Sequence, residues 1–511
     1  MEKKNTHWVE QIAQEIMEKK KEPHSILSGI TTSGPTHLGT LCEFLYAHAV
    51  SFYLKSQNRK VNFYFTADIM DAFDSVPALF QEYEAKLAPE LGKPLAFVPD
   101  PLGCHASIGE HFLADAKEVM EELDVHPAIL RAQDLYSQGK YDPYALLFIR
   151  EQEKIRGILQ KTSMRELKKT WSPIMPICEN CGKIADVIVT EMDVEGNYSY
   201  SCSCSHKGGS AIKEHKYKLV WRLDWPARQD FLNCSGEGAG VDHMTKGGSW
   251  DSAREIHKAI LKKDPPIIFK FGFILLQGKK YSKSKGIGLS VRELLKLVPP
   301  EIIKYALFRP DIQENKDFNP TGYELIKLFN DFSEASALLE SQSVFSEEKE
   351  KTPVEDKDAL TRAENKKIMA VQISGKKKWK LDFSEYLLHH QIYGNLGRLS
   401  EKDSGGSAYL KKYIDNWVEG GFEPEDYDFK YEPKKELNPS ARKFFLSLDE
   451  NMDALAIHNS IFEFAKESRI DPKDAFKMLY SSILNKEKGP RLGRLIETIG
   501  VLKIKKDLGL L

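Results

Sequence analysis

The stretch from Ser25 to Phe65 constrains the fold of this 511-residue chain more than any other. Ser25-Ile26-Leu27-Ser28-Gly29-Ile30 is short and strand-like, and the glycine-containing loop Thr31–Gly39 follows it. Leu41–Leu54 is apolar-rich and long enough for a helix, and Val61-Asn62-Phe63-Tyr64-Phe65 alternates with the period of a strand. Strand, glycine turn, helix and strand in that order predict a βαβ unit of the nucleotide-binding kind.

The rest of the chain is read around that unit. A chain of this length exceeds one hydrophobic core, so about two to four domains are expected. Residues 7–22, 108–123 and 143–160 are predicted helices. Residues 172–215 are short-stranded, contain cysteines and are bounded by Pro173 and Pro176, which marks an insertion. Lys218–Trp225 and Ile267–Leu276 return to strand-like patterning. From about residue 290 helices dominate, at Val291–Leu297, Pro299–Phe308 and Gly322–Ser341. Residues 343–367 are charged and poor in apolar groups, as in a linker. Helices are then predicted over 376–400, 407–419, 438–448, 450–468, 471–484 and 488–499, punctuated by Gly405-Gly406 and Gly420-Gly421.

Composition narrows the class. Hydrophobic residues at 41% and charged residues at 29% describe a globular protein. A net charge of -2 argues against a uniformly basic coat but leaves room for local phosphate-binding patches. No apolar run is long enough to span a membrane, and the polar start Met1-Glu2-Lys3-Lys4-Asn5 leads to no signal-peptide core, so a cytoplasmic location is the default.

Three segments carry nucleotide chemistry. In Ser33-Gly34-Pro35-Thr36-His37-Leu38-Gly39, glycines let backbone approach a ligand, and a helix opening near His37 turns its positive end toward phosphate. An imidazole there can donate to a phosphate oxygen as charge develops. Some 240 residues later, Lys279-Lys280-Tyr281-Ser282-Lys283-Ser284-Lys285-Gly286 offers mobile cations and hydroxyls to a triphosphate. Between them, Gly236–Asp251 is rich in glycine and carries Asp242-His243 and Gly247-Gly248-Ser249, a composition suited to wrapping an adenosine. The plain alternatives are a structural strand–helix connection, a solvated basic loop and a flexible surface loop.

The seven cysteines are unevenly spread. Cys178-x-x-Cys181 and Cys202-x-Cys204 offer four thiolates for a closed, structural Zn²⁺ site, with His206 as an alternative to Cys204. Cys42, Cys104 and Cys234 read as buried small apolar residues. Glu43, four residues past Gly39 on the helix, is placed either to face the pocket and pair with a cationic substrate or to sit as a solvated helix residue. Asp71 and Asp74 are placed to hold a ligand amine or cap a helix, and Trp221 to stack on a substrate side chain or fill the core.

Eight segments occur in one order: GITTSGPTHLGTLCEF (29–44), DAFDSVP (71–77), PDPLGCHASIGEHF (99–112), PICENCG (176–182), WRLDWPARQDF (221–231), GVDHMTKGGSWD (240–251), KKYSKSKG (279–286) and PPEIIKYALFRP (299–310). Through them the N-terminal two thirds of the chain resembles class I lysyl-tRNA synthetases of the archaeal and spirochaete type. The resemblance implies an α/β Rossmann-type (HUP) catalytic domain over residues 1–275 with a zinc-binding insertion at about 172–215. It further implies a stem-contact region over 276–342 and an all-α anticodon-binding domain over 343–511. The implied reaction joins L-lysine and ATP, with Mg²⁺, into lysyl-adenylate. It then transfers lysine to the 2′-hydroxyl of the terminal adenosine of tRNA(Lys), with the monomer as one option for the assembly.

The resemblance also implies roles. Gly29, Thr31, Glu43, Trp221 and His243 fall where such enzymes shape a lysine pocket. ATP would meet Gly34, His37, Gly39, Asp242, Gly247, Gly248, Ser282, Lys283 and Ser284. Catalysis would fall to His37, Thr40, Lys280, Lys283 and Lys285. Three departures stand out: Thr40 where the class signature ends in a second histidine, Tyr281 in place of methionine, and Val241 where a lysine is expected. Both Lys283 and Lys285 are present, which leaves open the one that stabilises the leaving pyrophosphate. A class I synthetase for glutamate or arginine, or a non-catalytic tRNA-binding relative, are the competing expectations. Glu43 with Trp221 favours a long cation over a carboxylate.

Overall fold

The computed structural model describes residues 6–164, 166–276, 279–280, 290–348 and 362–511. Five strands, β1 (His24–Ile30), β2 (Val61–Ala67), β3 (Ala128–Arg131), β4 (Cys234–Gly240) and β5 (Ile267–Phe271), form one sheet in the order β5-β4-β1-β2-β3. Every pairing in it is parallel. The chain leaves β1 for β2 and β3 on one side, then returns to the other side for β4 and β5. The crevice beyond the carboxyl ends of β1 and β4 is therefore the switch point where ligands bind in open α/β sheets.

Helix α2 (Leu38–Ser56) packs against β1, and α1 (Trp8–Lys19) against α2 and β5. α1 follows the sequence expectation, burying Trp8, Val9, Ala13 and Ile16 along one stripe. α2 is buried on most sides, which fits its apolar run.

Several sequence expectations are corrected. First, Lys218–Trp225 is not one strand: Tyr217–Leu219 pairs with Ile174–Pro176, and a helix, α3 (Trp221–Phe231), begins directly after. Leu223 with Ala227 and Asp224 with Arg228 are spaced four apart, so helical periodicity was present beneath the apolar content. Second, Gly236–Gly240 is not loop but the buried β4. Glycine removes the side-chain alternation that would have marked it, and α1 and β5 occupy the space, since a Cβ on Gly236 would lie 2.7 Å from Ile16. Third, 143–160 is two helices, Asp142–Arg150 and Gln152–Ser163, and 267–276 is two strands in different sheets. Fourth, Gly405-Gly406 does not separate helices. It lies within Ser400–Glu419, whose kink is at Asp403, where the carboxylate accepts from the Gly406 and Lys380 amides at 2.9 and 2.6 Å.

The insertion between Ile174–Pro176 and Tyr217–Leu219 is a three-stranded antiparallel sheet of Val187–Met192, Asn197–Cys202 and Lys207–Ala211. By internal packing the chain divides into two units, one spanning 1–292, 304–318 and 359–373, the other 293–303, 319–358 and 374–511. The second is helical, with a core that includes Phe444, Ile461, Leu479, Ile483 and Leu495. Asp453 and Asp471 cap two of its helices by accepting from the Ala456 and Lys473 amides at 2.7 and 2.8 Å. Among the described residues no helix is long and apolar enough to cross a membrane.

Candidate active site

A cavity of about 600 Å³ opens at the carboxyl ends of the central strands. β1 contributes Gly29 and Ile30, β4 ends on its wall at Gly240, and β5 at Phe271. The loop after β1 supplies Thr31, His37, Gly39 and Thr40, and α2 supplies Glu43. α3 presents Trp221 from its first turn, and the short helix Val241–Met244 presents Asp242 and His243.

The signature histidine is fixed by local chemistry. His37 is the N-cap of α2, and its Nδ1 accepts from the amides of Gly39 and Thr40 at 3.0 and 3.3 Å. An accepting Nδ1 carries no proton, so the neutral ring holds its proton on Nε2 as a donor. Gly39 is needed for this arrangement, since a Cβ there would lie 2.9 Å from His37 Cε1. Thr40 completes a reciprocal capping box: its hydroxyl donates to the His37 carbonyl at 2.7 Å and accepts the His37 amide at 2.9 Å. The Thr40 proton is thereby directed at backbone, so its hydroxyl orients His37.

The floor of the cavity is acidic. Asp71 Oδ2 accepts from the Thr31 hydroxyl at 2.5 Å, and its Oδ1 lies 3.0 Å from the buried Lys218 Nζ. Burial opposes charge on Asp71, but Lys218 and Thr31 hold its carboxyl below the usual range. Lys218 also reaches Asp224 at 3.5 Å, and Asp224 accepts from the hydroxyls of Tyr136 and Tyr141 at 2.5 and 3.0 Å. Arg228 donates to Asp68 and lies over the Trp221 ring at 5.7 Å. Glu237 accepts from Trp225 Nε1 at 2.9 Å and Gln229 Nε2 at 2.6 Å. Two buried cations, Lys218 and Arg228, thus face Asp68, Asp71, Asp224 and Glu237.

Glu43 differs from these acids. Among the described residues no cation pairs with it, and burial together with the nearby Glu237 pushes its carboxyl up to about 8. Trp221 stacks on Trp225 with centroids 5.7 Å apart, and both rings lie near His243, at 6.2 and 5.8 Å. Burial lowers the pKa of His243 below the ordinary value, so the ring is neutral, and its Nδ1 lies 2.7 Å from Ser249 Oγ. This is an acidic slot with an aromatic wall, which suits an alkylammonium group.

Gly29, Thr31, His37, Gly39, Thr40, Glu43, Trp221, Asp242 and His243 all meet at this cavity. Gly34, Gly247 and Gly248 are not on its wall. The Gly247-Gly248 turn folds back on the His243 helix, its carbonyls accepting from Arg222 at 3.0 and 2.9 Å. A Cβ on Gly248 would lie 2.4 Å from the His243 carbonyl, which excludes other residues there. Ser282, Lys283, Ser284 and Lys285 lie outside the described residues. Of Lys280 the backbone is described, and it pairs with Leu275.

Sequence reasoning missed Asp68, Lys218, Asp224, Arg228 and Glu237. Four of them lie in strand or helix interiors, and which charged side chains are buried there is set by packing between distant segments. It also missed Asp115, whose Oδ2 accepts from the Thr36 amide at 2.7 Å while its Oδ1 accepts from Arg292 Nε at 2.6 Å. Asp115 therefore joins the loop that carries His37 to the residues following the lysine–serine segment.

In the insertion, Cys178, Cys181, Cys202 and Cys204 converge, with Sγ separations of 3.7 Å for Cys178–Cys204 and 3.6 Å for Cys181–Cys202. Tetrahedral zinc with Zn–S near 2.3 Å sets sulfurs about 3.8 Å apart, so the group fits this metal. His206 turns instead to Glu179 Oε1 at 2.9 Å. Cys42 and Cys234 are buried as expected, whereas Cys104 is exposed.

Residues 6–360 match the family described as tRNA synthetases class I (K). The lysine–tRNA ligase of Archaeoglobus fulgidus is 31% identical, with 98% of this chain and 99% of that one covered. That of Methanosarcina barkeri is 29% identical over 95% and 94%. A solved glutamate tRNA ligase from Elizabethkingia meningosepticum aligns with a TM-score of 0.42 at 11% identity, covering 96% of this chain and 99% of that one, a likeness too distant to argue from.

Proposed function

The chain belongs to the class I (K) tRNA synthetases, and from that premise we propose that it is a lysine–tRNA ligase whose amino-acid pocket is the acidic cavity below His37. The observation that carries this reading is Glu43, a half-buried carboxyl on the cavity wall without a cationic partner among the described residues, beside the Trp221 ring. A lysine ε-ammonium supplies the missing charge. A glutamate side chain would add a further carboxylate to a floor already in acidic surplus, at a cost of several kcal/mol for an unpaired buried charge. Lysine-dependent exchange of pyrophosphate into ATP is expected, with glutamate and arginine inactive. Exchange driven by either of those and not by lysine would overturn the assignment.

Chemically, a lysine carboxylate oxygen attacks the α-phosphorus of Mg²⁺-bound ATP, the bond to the β-phosphate oxygen breaks, and pyrophosphate leaves. The 2′-hydroxyl of the terminal adenosine then attacks the lysyl carbonyl and releases AMP. His37, with its donor on Nε2, stabilises the charge that builds on the phosphates, and Asp242, on the cavity wall, would hold the ribose. Lys280, Lys283 and Lys285 supply cationic stabilisation of the leaving group. The four cysteines would hold a structural Zn²⁺ that staples the insertion.

Asp115 gives this reading a second test. Asp115→Asn keeps an acceptor for the Thr36 amide but removes the charge that holds Arg292. Loss of a charge-assisted bond worth about 1.5–3 kcal/mol predicts a fall in exchange kcat of about tenfold or more with lysine KM unchanged. A rise in lysine KM at constant kcat would show instead that Asp115 shapes the amino-acid pocket.

A further inference from the structure

On the reading of the cavity as the site of ATP-dependent lysine activation, we propose that Lys316 is a positioning residue for that step. Its buried ammonium holds the cavity wall at Gly272 and Phe273 and the strand that leads into the lysine–serine segment. Lys316 does not line the cavity itself and is 4% exposed. Its Nζ donates to three backbone carbonyls of a single turn, those of Asp311 at 2.8 Å, Ile312 at 2.8 Å and Glu314 at 2.7 Å. An ammonium has three protons, one for each carbonyl, whereas a neutral amine has only two. The arrangement is therefore built for the charged form.

The turn gathered by Lys316 carries the wall. Its Ile312 carbonyl also accepts the Gly272 amide at 3.1 Å, and Asn315 Oδ1 accepts the Phe273 amide at 2.9 Å. The Lys316 amide donates to the Phe273 carbonyl at 2.9 Å. A Cβ on Gly272 would lie 2.4 Å from the Glu314 carbonyl, so turn and wall are in direct contact. Gly272, Phe273 and Ile274 line the cavity. The strand Ile274–Leu276 then pairs on one side with Lys316–Asp317 and on the other with Lys279–Lys280, which open the lysine–serine segment. The ammonium also lies over the Tyr46 ring, 5.5 Å from its centroid, and that ring packs on Phe271 at 5.3 Å. Tyr46 stands on α2, the helix that His37 caps. One charge thus lies between the helix of the His37 turn and the strand that reaches Lys280.

A clamp made by a charge loosens when the charge is lost. Burial lowers the Lys316 pKa to about 8, against the upward pull of Asp311 and Glu314 on its own turn. From α2 it faces Cys42 and Tyr46, and burial keeps both neutral there, raising the thiol to about 12 and the phenol well above its ordinary range. Deprotonation leaves two hydrogens for three carbonyls and removes the attraction to the Tyr46 ring. The wall and the strand beyond it are then held less firmly. The lysine slot at Glu43, Trp221 and His243 stands on other elements, so the effect falls on turnover and not on lysine binding.

The test is ATP–pyrophosphate exchange by the full chain at saturating lysine and ATP, from about pH 6.5 to about pH 9.5. Parent kcat is expected to fall by about half near pH 8 and to keep falling above it. Lys316→Met, checked for folding by circular dichroism, should lose about 10²-fold in kcat at about pH 7, the cost of a displacement of about 1 Å in a positioning group. Its lysine KM should stay within about twofold, and its kcat should be flat through pH 8. Asp311→Asn/Glu314→Gln supplies a second readout that does not depend on how Lys316→Met folds. Both side chains are exposed, and asparagine keeps the acceptor for the Gln313 amide. Removing the two carboxylates should move the alkaline fall to lower pH, cutting kcat at pH 8 by about twofold while kcat at about pH 6.5 matches the parent. A parent kcat flat across this range, a fall unmoved in the double variant, or a Lys316→Met variant with parental kcat or with its loss in lysine KM overturns the proposal. Absence of lysine-dependent exchange in the parent would overturn the lysine–tRNA ligase reading instead.

Discussion

Replacing Glu43 with glutamine is expected to raise the lysine KM in ATP–pyrophosphate exchange by about 10²–10³-fold, while the KM for ATP stays within about twofold. The magnitude follows from removing one partner of a buried charge pair, which costs about 3–5 kcal/mol. The variant keeps the shape of the slot, so a packing role for Glu43 would leave KM nearly unchanged and would sink the assignment. The same carboxyl dictates a pH dependence. In the free enzyme burial and Glu237 hold Glu43 protonated up to about 8, whereas the bound ammonium requires it ionised. Lysine binding below pH 8 therefore releases a proton, and affinity should rise by about tenfold per pH unit from 6 to 7 before levelling near 8. Stability moves the opposite way. The native carboxyl, raised from 4.5, retains its proton while the unfolded one loses it, so stability present below about pH 4.5 is lost as pH rises through about 8. Without lysine, Glu43→Gln should gain on the parent in melting temperature as pH rises through this window. A pH-independent difference would show that Glu43 is ionised in the empty pocket.

What could be read from the sequence depended on whether the signal was local. The βαβ unit was legible because β1, α2 and β2 follow one another with clear apolar periodicity, and the His37 turn lies between two of them. The four cysteines were legible because both pairs are short-range in sequence. β4 was not, because Cys-Ser-Gly-Glu-Gly-Ala-Gly offers neither alternation nor β-branched residues, and only packing against α1 and β5 makes it a strand. The acidic floor was not either: Asp68 and Asp71 lie far along the chain from their partners Arg228 and Lys218, and the pairs exist only after the sheet has formed. Cys104 was misread for a related reason. Its hydrogen-bonding neighbours Asp100, His105 and His111 are close in sequence, but their convergence needs the turn before the helix Ile108–Glu122. Glu43 lies between these cases: its place on α2 was local information, its lack of a cationic partner among the described residues was not.

Arg228→Met should be the most destabilising single change in the catalytic unit, at about 3–5 kcal/mol, because it leaves Asp68 buried without its guanidinium. Arg228 is 2% exposed, so water cannot replace it without opening the sheet. The loss should also reach the ligand site. Arg228 lies over Trp221, which stacks on Trp225, and a shifted Trp221 would widen the slot beside Glu43. Urea unfolding followed by tryptophan fluorescence measures the first effect, and lysine KM in exchange measures the second. The double change Asp68→Leu/Arg228→Met separates charge from packing. If the uncompensated carboxylate causes the loss, removing it should recover most of the stability, since an apolar replacement of both partners is near neutral. It should not recover lysine KM, because Trp221 still lacks its support. A single variant within about 1 kcal/mol of the parent would mean that Asp68 is neutral in the native protein and that Arg228 answers to Glu237 and Asp224 instead. The acidic surplus under the pocket would then be smaller, and discrimination against a carboxylate substrate would rest on Glu43 alone.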